Sequence, residues 1–361
     1  MTDKEKLHLA LQIVGDAISV DPDDLQDQET WKYLGLGDLL AQATAADLKQ
    51  AGIHVPDDVF TRYDTVGALK TFFHPKQDAA SVPTTAKQLQ DPWQDIPKPK
   101  IPLSVVLQGK PFVTPTTMFL FPDGSGAGTS YASIPPISPF ICLIGLNSPF
   151  LRQAEHFTCS IEHLARLWLS EVKKLQPPGR PYVLGGWSAG GYYAYEVAKL
   201  LVAEGKMIER LILIDSPCRL VYEALPEQVV AELTKKGLMG ASGAKKAPEW
   251  LVQHFTSTVL AVDRYMPVPM EGRDVPAKVN FVWVKEGLVD DVEKSGLEVN
   301  LSVKVTKFLL EPREELNTEG WERLLPGAEY SVDYMTGNHF QITQPPHSDS
   351  LGQILRKLLT S

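Results

Sequence analysis

The chain has 361 residues, of which 43% are hydrophobic and 22% charged, and its net charge is −9. This composition is ordinary for a soluble globular protein with room for two or three domains, and the negative charge argues against nucleic acid and acidic membrane surfaces as partners. The opening MTDKEK is charged and leads into no signal-peptide core, no apolar run approaches a membrane span, and Cys142, Cys159 and Cys218 lack metal-ligand spacing. Reduced thiols in a cytosolic protein, with no bound metal, are the expectation.

In chain order, residues 1–76 come first and carry 13 Asp/Glu against 7 Lys/Arg, a net of −6. KLHLALQIVGDAI places apolar residues at helical spacing, a loop through DPDDLQDQET follows, a second helix runs from Asp38 to near Gly52, and TVGALKTFF is a last short helix. The segment therefore predicts a small helical bundle. A proline-rich stretch from about Pro75 to Pro115, including DPWQDIPKPKIP, denies helix and ladder hydrogen bonds. It predicts a semi-rigid linker over 77–102.

From residue 103 strands and helices alternate. TTMFLF and FICLIGL read as buried strands, SIEHLARLWLSEVKKL as an amphipathic helix, PYVLGG as a strand and AGGYYAYEVAKLLVAEG as a helix. RLILID, VNFVWVK and YSVDYM are further strands, and SDSLGQILRKLL is the final helix. Such alternation predicts an α/β domain over 103–361, with a mostly parallel sheet covered on both faces. Between about 218 and 275 the rhythm gives way to helical, proline-containing segments, which predict a lid over the sheet edge.

The strongest motif is GGWSAGG, with G-x-S-x-G at Gly186–Gly190. Its context, a buried strand before and a helix after, is what a nucleophile elbow requires. An incidental serine in a plain strand–turn–helix connection is the alternative. A serine hydroxyl needs a base, and the base needs an orienting carboxylate, in the chain order Ser, Asp, His for this fold class. His339 in TGNHFQI follows a strand in a glycine-bearing loop and is the favoured base. His347 is a distant second and looks like a surface or capping residue. His254 falls in the lid, His8, His54 and His74 in the first segment, and His156 and His163 precede the serine. Asp215 ends RLILID, one strand on from Ser188; a carboxylate there is costly unless paired. A turn cap before Ser216-Pro217 is the competing reading, and Asp263, Asp290, Asp291 and Asp333 lack that placement. For an oxyanion hole, the N–H of Ala189 and a donor at Gly124 or Ser125 in FPDGSGAG are the candidates. A phosphate loop is the weaker reading, since no lysine follows and G-x-G-x-x-G spacing is absent.

FLFPDGSGAGTSYASIPPISP, GGWSAGG, LILIDSPC and GNHF together resemble the thioesterase domain that ends fungal non-reducing polyketide synthases, over about residues 103–359. The resemblance implies an α/β hydrolase with a lid, and a triad that maps onto Ser188, Asp215 and His339. Residues 5–74 resemble a polyketide-synthase carrier domain, through IVGDAISVDPDDLQDQETWKYLGLGDLLA and VPDDVFTRYDTVGALKTFF. The usual attachment motif L-G-x-D-S-L here reads Leu34 to Leu39, with Gly37 for the aspartate and Asp38 for the serine. A carboxylate cannot hold phosphopantetheine as a stable phosphodiester, and Thr44 lies in the wrong turn. No phosphopantetheine is expected on this chain, while Asp38 suits a helix N-cap.

The whole chain is similar to fungal stand-alone pseudo-carrier–thioesterase proteins. That likeness implies action in trans on a non-reducing synthase and release of 2,4-dihydroxy-6-alkylbenzoic acids of the olivetolic acid type from the synthase's carrier domain. Claisen cyclisation, a small-molecule esterase and a non-catalytic synthase adaptor are the competing functions. The carrier-like segment argues against the esterase, and the intact Ser-Asp-His set against the adaptor.

Overall fold

The computed structural model describes residues 3–18, 20–25, 27, 29–32, 34–56, 58–73, 91–239, 248–270 and 275–360. The chain divides into two compact units, Met1–Gln88 and Leu89–Ser361.

The first unit consists of α1 (Asp3–Ile18), α2 (Asp38–Gln50), α3 (Val59–Arg62) and α4 (Val66–Phe73). Ala10 and Val14 of α1, Leu48 of α2, and Val66 and Leu69 of α4 meet in one core, as their helical spacing requires. Trp31, from the α1–α2 loop, stands edge-on to Phe60 with ring centroids 5.6 Å apart and donates its indole N–H to the Tyr63 carbonyl at 2.7 Å. The three expected helices are all present. The extra α3 is a four-residue turn, too short to show a period. The cap expected at Asp38 falls on Gly37, which is extended (φ −71°, ψ 168°), so Asp38 is the first helical residue. Thr44 is buried and donates its hydroxyl to the Leu40 carbonyl at 2.8 Å.

The second unit runs β1 (Ser104–Gln108), β2 (Thr116–Phe121), β3 (Ile141–Leu146), α5 (Ile161–Leu175), β4 (Tyr182–Trp187), α6 (Ala189–Ala203) and β5 (Ile208–Ile214). It continues with α7 (Glu227–Lys235), α8 (Glu249–Asp263), β6 (Lys278–Glu286), α9 (Val292–Ser295), α10 (Lys304–Leu310), β7 (Glu329–Asn338) and α11 (His347–Thr360). The sheet order is β1-β3-β2-β4-β5-β6-β7, parallel except for the edge pair β1 and β3. Side chains alternate between its faces. Phe119, Leu184, Leu213 and Phe281 enter one core with α5 and α6, while Leu120, Val183, Ile212 and Val282 enter the other with α11 and α7. Burial on both faces explains why these strands read as continuous apolar runs rather than as alternating ones.

Two expected boundaries are refined. Residues 77–90 of the expected linker lie outside the described residues. Residues 91–102 belong to the second unit: Trp93 and Ile96 pack on its core, and the Pro92, Lys98 and Pro102 carbonyls pair with the His163, Gln153 and Asn147 side chains. Proline-rich backbone cannot join the ladder, but its carbonyls can still accept. The expected lid lies between β5 and β6 and contains α7 and α8; its residues 240–247 and 271–274 lie outside the described residues. α8 is pinned to the loop after β2, because the Gly124 carbonyl accepts from His254 Nδ1 at 2.9 Å and from Thr258 Oγ1 at 3.2 Å. No helix among the described residues is long and apolar enough to cross a membrane.

Candidate active site

The chain leaves the buried strand β4 and enters α6 through Ser188. The turn is tight enough to place Ser188 at φ 56°, ψ −123°, a conformation that costs on the order of 1–3 kcal/mol for a side-chain-bearing residue. Glycine is needed on both sides. A Cβ on Gly186 would lie 2.2 Å from the Gly190 backbone, and one on Gly190 would lie 2.5 Å from the Phe121 carbonyl oxygen. Ala189 opens α6, so its N–H has no intrahelical acceptor and is free to serve a ligand.

Two other strand ends bring groups to this serine. His339 follows β7, and its Nε2 lies 3.1 Å from Ser188 Oγ. Its Nδ1 lies 2.7 Å from Oδ2 of Asp215, the residue after β5. The carboxylate can only accept, so the Nδ1 proton is donated to it. Nε2 is thereby left as the acceptor that faces the serine hydroxyl.

Asp215 is fully buried and its hydrogen-bonding capacity is filled. Oδ1 accepts from Arg313 Nη1 at 2.9 Å and from the Val284 N–H at 3.2 Å, and Oδ2 accepts from Arg313 Nη2 at 3.0 Å in addition to His339. Burial pushes this carboxyl up, but the Arg313 guanidinium and then the His339 ring outweigh it and hold the pKa at about 2. Arg313 is itself buried, with its guanidinium carbon 3.9 Å from the centre of the Phe308 ring. Its backbone N–H donates to the carbonyl of Lys285, near the end of β6, which fixes the fork under Asp215. Arg313 is the residue that sequence reasoning missed, because its EPREEL context reads as a charged surface loop.

The remaining candidates sit elsewhere. None of Asp263, Asp290, Asp291 and Asp333 bonds to His339 among the described residues; Asp291 caps α9 and Asp333 pairs with Lys357. His347 begins α11 and contacts Thr336 Oγ1 at 3.0 Å. His254 is buried in α8, and burial drives its pKa down to about 4. The two loop candidates separate. Gly124 lines the same chamber as Ser188, Ala189 and His339, whereas Ser125 lines an adjoining cavity and donates its hydroxyl to Asp123. The chamber at Ser188 has a volume of about 70 Å³ and apolar walls that include Leu225, Val259, Val262, Val305, Phe308 and Leu309. No cluster among the described residues could hold a metal ion.

A seven-stranded, mostly parallel sheet, a glycine elbow at the end of β4 and a helical insertion above it define an α/β-hydrolase-like protein. Residues 116–360 match the thioesterase domain family, and the chain belongs to it. It is 35% identical to the non-reducing polyketide synthase terA of Aspergillus terreus, over 97% of this chain and 18% of that protein. It is 33% identical to the non-reducing polyketide synthase Preu8 of Preussia isomera, over 98% of this chain and 17% of that protein. The chain thus spans less than a fifth of the length of these relatives. Among solved structures, the RedJ thioesterase of the prodiginine pathway in Streptomyces coelicolor shares the fold, with a TM-score of 0.50 at 15% identity over 80% of this chain and 99% of that one.

Proposed function

We propose that the chain is a serine thioesterase that acts in trans, releasing a 2,4-dihydroxy-6-alkylbenzoyl group from the carrier domain of a partner non-reducing polyketide synthase. The observation that carries the reading is the run of contacts from Ser188 through His339 to Asp215, set beside an apolar chamber in a chain of the thioesterase family. Ser188 Oγ attacks the thioester carbonyl while His339 Nε2 takes its proton. The oxyanion is held by the Ala189 N–H and a donor at Gly124. The C–S bond breaks, His339 returns the proton to the leaving thiolate, and an acyl-Ser188 remains. His339 then draws a proton from water, hydroxide adds to the ester carbonyl, and the free acid leaves as Ser188 regains its hydrogen.

The first unit has no hydroxyl at position 38 and a buried Thr44 whose hydroxyl is engaged, so this chain carries no phosphopantetheine and the substrate arrives on its partner. Its role is docking. The net acidity of the segment and Leu39, 85% exposed on α2, support that reading.

The test compares the wild type with Ser188→Ala on a 2,4-dihydroxy-6-alkylbenzoyl thioester, following free thiol and product mass. The expected result is benzoic acid from the wild type and a loss of at least about a thousandfold in the variant. A wild type that takes a fluorophosphonate label on Ser188 yet leaves this thioester intact would overturn the hydrolytic reading. Carbon–carbon ring closure of a longer, uncyclised chain would then take its place.

A further inference from the structure

The oxyanion donor proposed at position 124 sits on a glycine, the residue type whose backbone dihedrals are least restrained. An oxyanion donor stabilises the transition state only when its N–H is already aimed at the place where charge develops. Gly124 has no side chain to hold that aim, so its neighbours must. The peptide unit is planar, and a fixed Gly124 carbonyl fixes one side of its backbone.

Helix α8 supplies the restraint. The Gly124 carbonyl accepts from His254 Nδ1 at 2.9 Å and from Thr258 Oγ1 at 3.2 Å, two side chains one turn apart. A carbonyl can only accept, so the ring carries its proton on Nδ1. Burial drives the ring's pKa down to about 4, which leaves that single proton at neutral pH. The ring is 1% exposed and lies directly on the loop backbone: a Cβ on Gly126 would fall 2.5 Å from its Nε2. A Cβ on Gly124 would fall 2.6 Å from the Phe255 ring, the next residue of α8. Phe157 packs on the His254 ring with centroids 5.5 Å apart.

An apolar side chain would fill this pocket at lower cost. His254 Nε2 is buried and has no hydrogen-bond partner among the described residues, and an orphaned acceptor is unfavourable. α8 also has other anchors, since Ser257 Oγ donates to the Ala154 carbonyl at 3.1 Å and the Arg152 guanidinium stands 3.9 Å from the centre of the Trp250 ring. What the histidine adds is a hydrogen bond to the carbonyl of the oxyanion donor itself.

We propose that His254 is a positioning residue for the oxyanion hole: with Thr258 it holds the Gly124 carbonyl, and so keeps the Gly124 N–H in line for the oxyanion that forms at Ser188. The lid helix α8 is thereby a working part of the site as well as a wall of the chamber. The proposal rests on the reading of Ser188 as nucleophile and Gly124 as oxyanion donor, and is independent of which acyl group is carried.

The test follows the labelling of Ser188 by an alkyl fluorophosphonate in the full-length protein. Phosphonylation builds charge on an oxygen in the same hole and needs no particular acyl group. Its dependence on probe concentration separates the maximal rate from the half-saturating concentration. His254→Leu, which fills the pocket without a donor, is expected to lower the maximal rate at least about tenfold and to leave the half-saturating concentration unchanged. His254→Asn, whose amide N–H reaches the position of Nδ1, should recover most of that rate. Thr258→Val should show a smaller loss of the same kind. A wild-type rate in His254→Leu, or an equal loss in His254→Asn, would overturn the proposal. A change confined to the half-saturating concentration would also overturn it and make His254 a support for the chamber wall. If His254→Leu does not fold, His254→Asn is compared with His254→Gln, whose amide reaches the Nε2 position and leaves Gly124 untied; equal maximal rates would overturn the proposal. If the 2,4-dihydroxy-6-alkylbenzoyl thioester stays intact while labelling follows the expected pattern, the proposed substrate falls and the positioning role stands.

Discussion

In the helical unit, the turn that leads into α2 lies at the surface. Gly35 and Gly37 are exposed, and the Leu39 side chain projects into solvent, while the core is built from Val14, Trp31, Leu48 and Leu69 on other faces. In the sheet unit the reactive groups are part of the interior. Asp215 is fully buried, Arg313 and His339 close around it, and Ser188 occupies a backbone conformation that only the surrounding packing sustains. Chemistry placed on an exposed helix start can be lost with little effect on the fold. Chemistry placed in a buried, hydrogen-bonded network is destabilising to lose one residue at a time, because each single removal strands another polar group.

That contrast is open to attack at three points. The largest effect is expected from Arg313→Gln, which leaves the Asp215 carboxylate without its buried cation. Urea unfolding should show a loss of about 3–5 kcal/mol, and turnover should fall with it. Arg313→Lys should recover only part of both, since a point charge cannot reproduce the paired bonds. The pH dependence follows from the sign of the shift. Asp215 titrates at about 2 in the native state against an ordinary value of 3.8, so its contribution is present above about pH 4 and is lost as pH falls toward 2. Arg313→Gln should erase that acid-side slope. A variant as stable as the wild type would mean that the network is not coupled to the fold.

The next effect concerns His254. Its native pKa is about 4 against an ordinary value of 6.5, so between those values the unfolded state binds more protons than the native state. Stability should therefore rise from pH 4 to pH 6.5, by on the order of 3 kcal/mol. His254→Asn, which cannot titrate, should flatten the slope in that window in denaturation measured across pH. An unchanged slope would remove the histidine from this role.

The smallest effect on the fold is expected at the surface of the helical unit. Leu39→Ala should change stability by no more than about 0.5 kcal/mol. If the unit docks, release from a synthase-borne carrier should nevertheless slow, while hydrolysis of a small thioester stays as it was. Equal rates on both substrates would leave the helical unit without a docking role at this face.

Much of this protein is legible in its amino-acid sequence. Helical spacing marks α1, α2 and α4, and apolar runs mark β2 to β6 because both sheet faces are covered there, whereas β7 is a half-exposed edge strand marked only by the short YSVDYM. β1 escapes notice, because a half-exposed, five-residue edge strand has neither a long apolar run nor clean alternation. Ser188 and Asp215 can be named because each stands just past an apolar strand, where a polar residue has a local reason to be conspicuous, and His339 because it follows a strand in a glycine-bearing loop. Arg313 has no such signal. It lies 98 residues from Asp215 in a charged stretch, and its partner is created only when residues 311–313 fold back over the end of β6. The division between Gly124 and Ser125, adjacent in sequence but facing different cavities, and the pin from the Gly124 carbonyl to His254 on α8 are likewise decided by packing. Local periodicity and turn chemistry act over a few residues and can be read along the chain. Burial, charge pairing and cavity shape depend on which distant segments meet, and the tertiary structure alone supplies that.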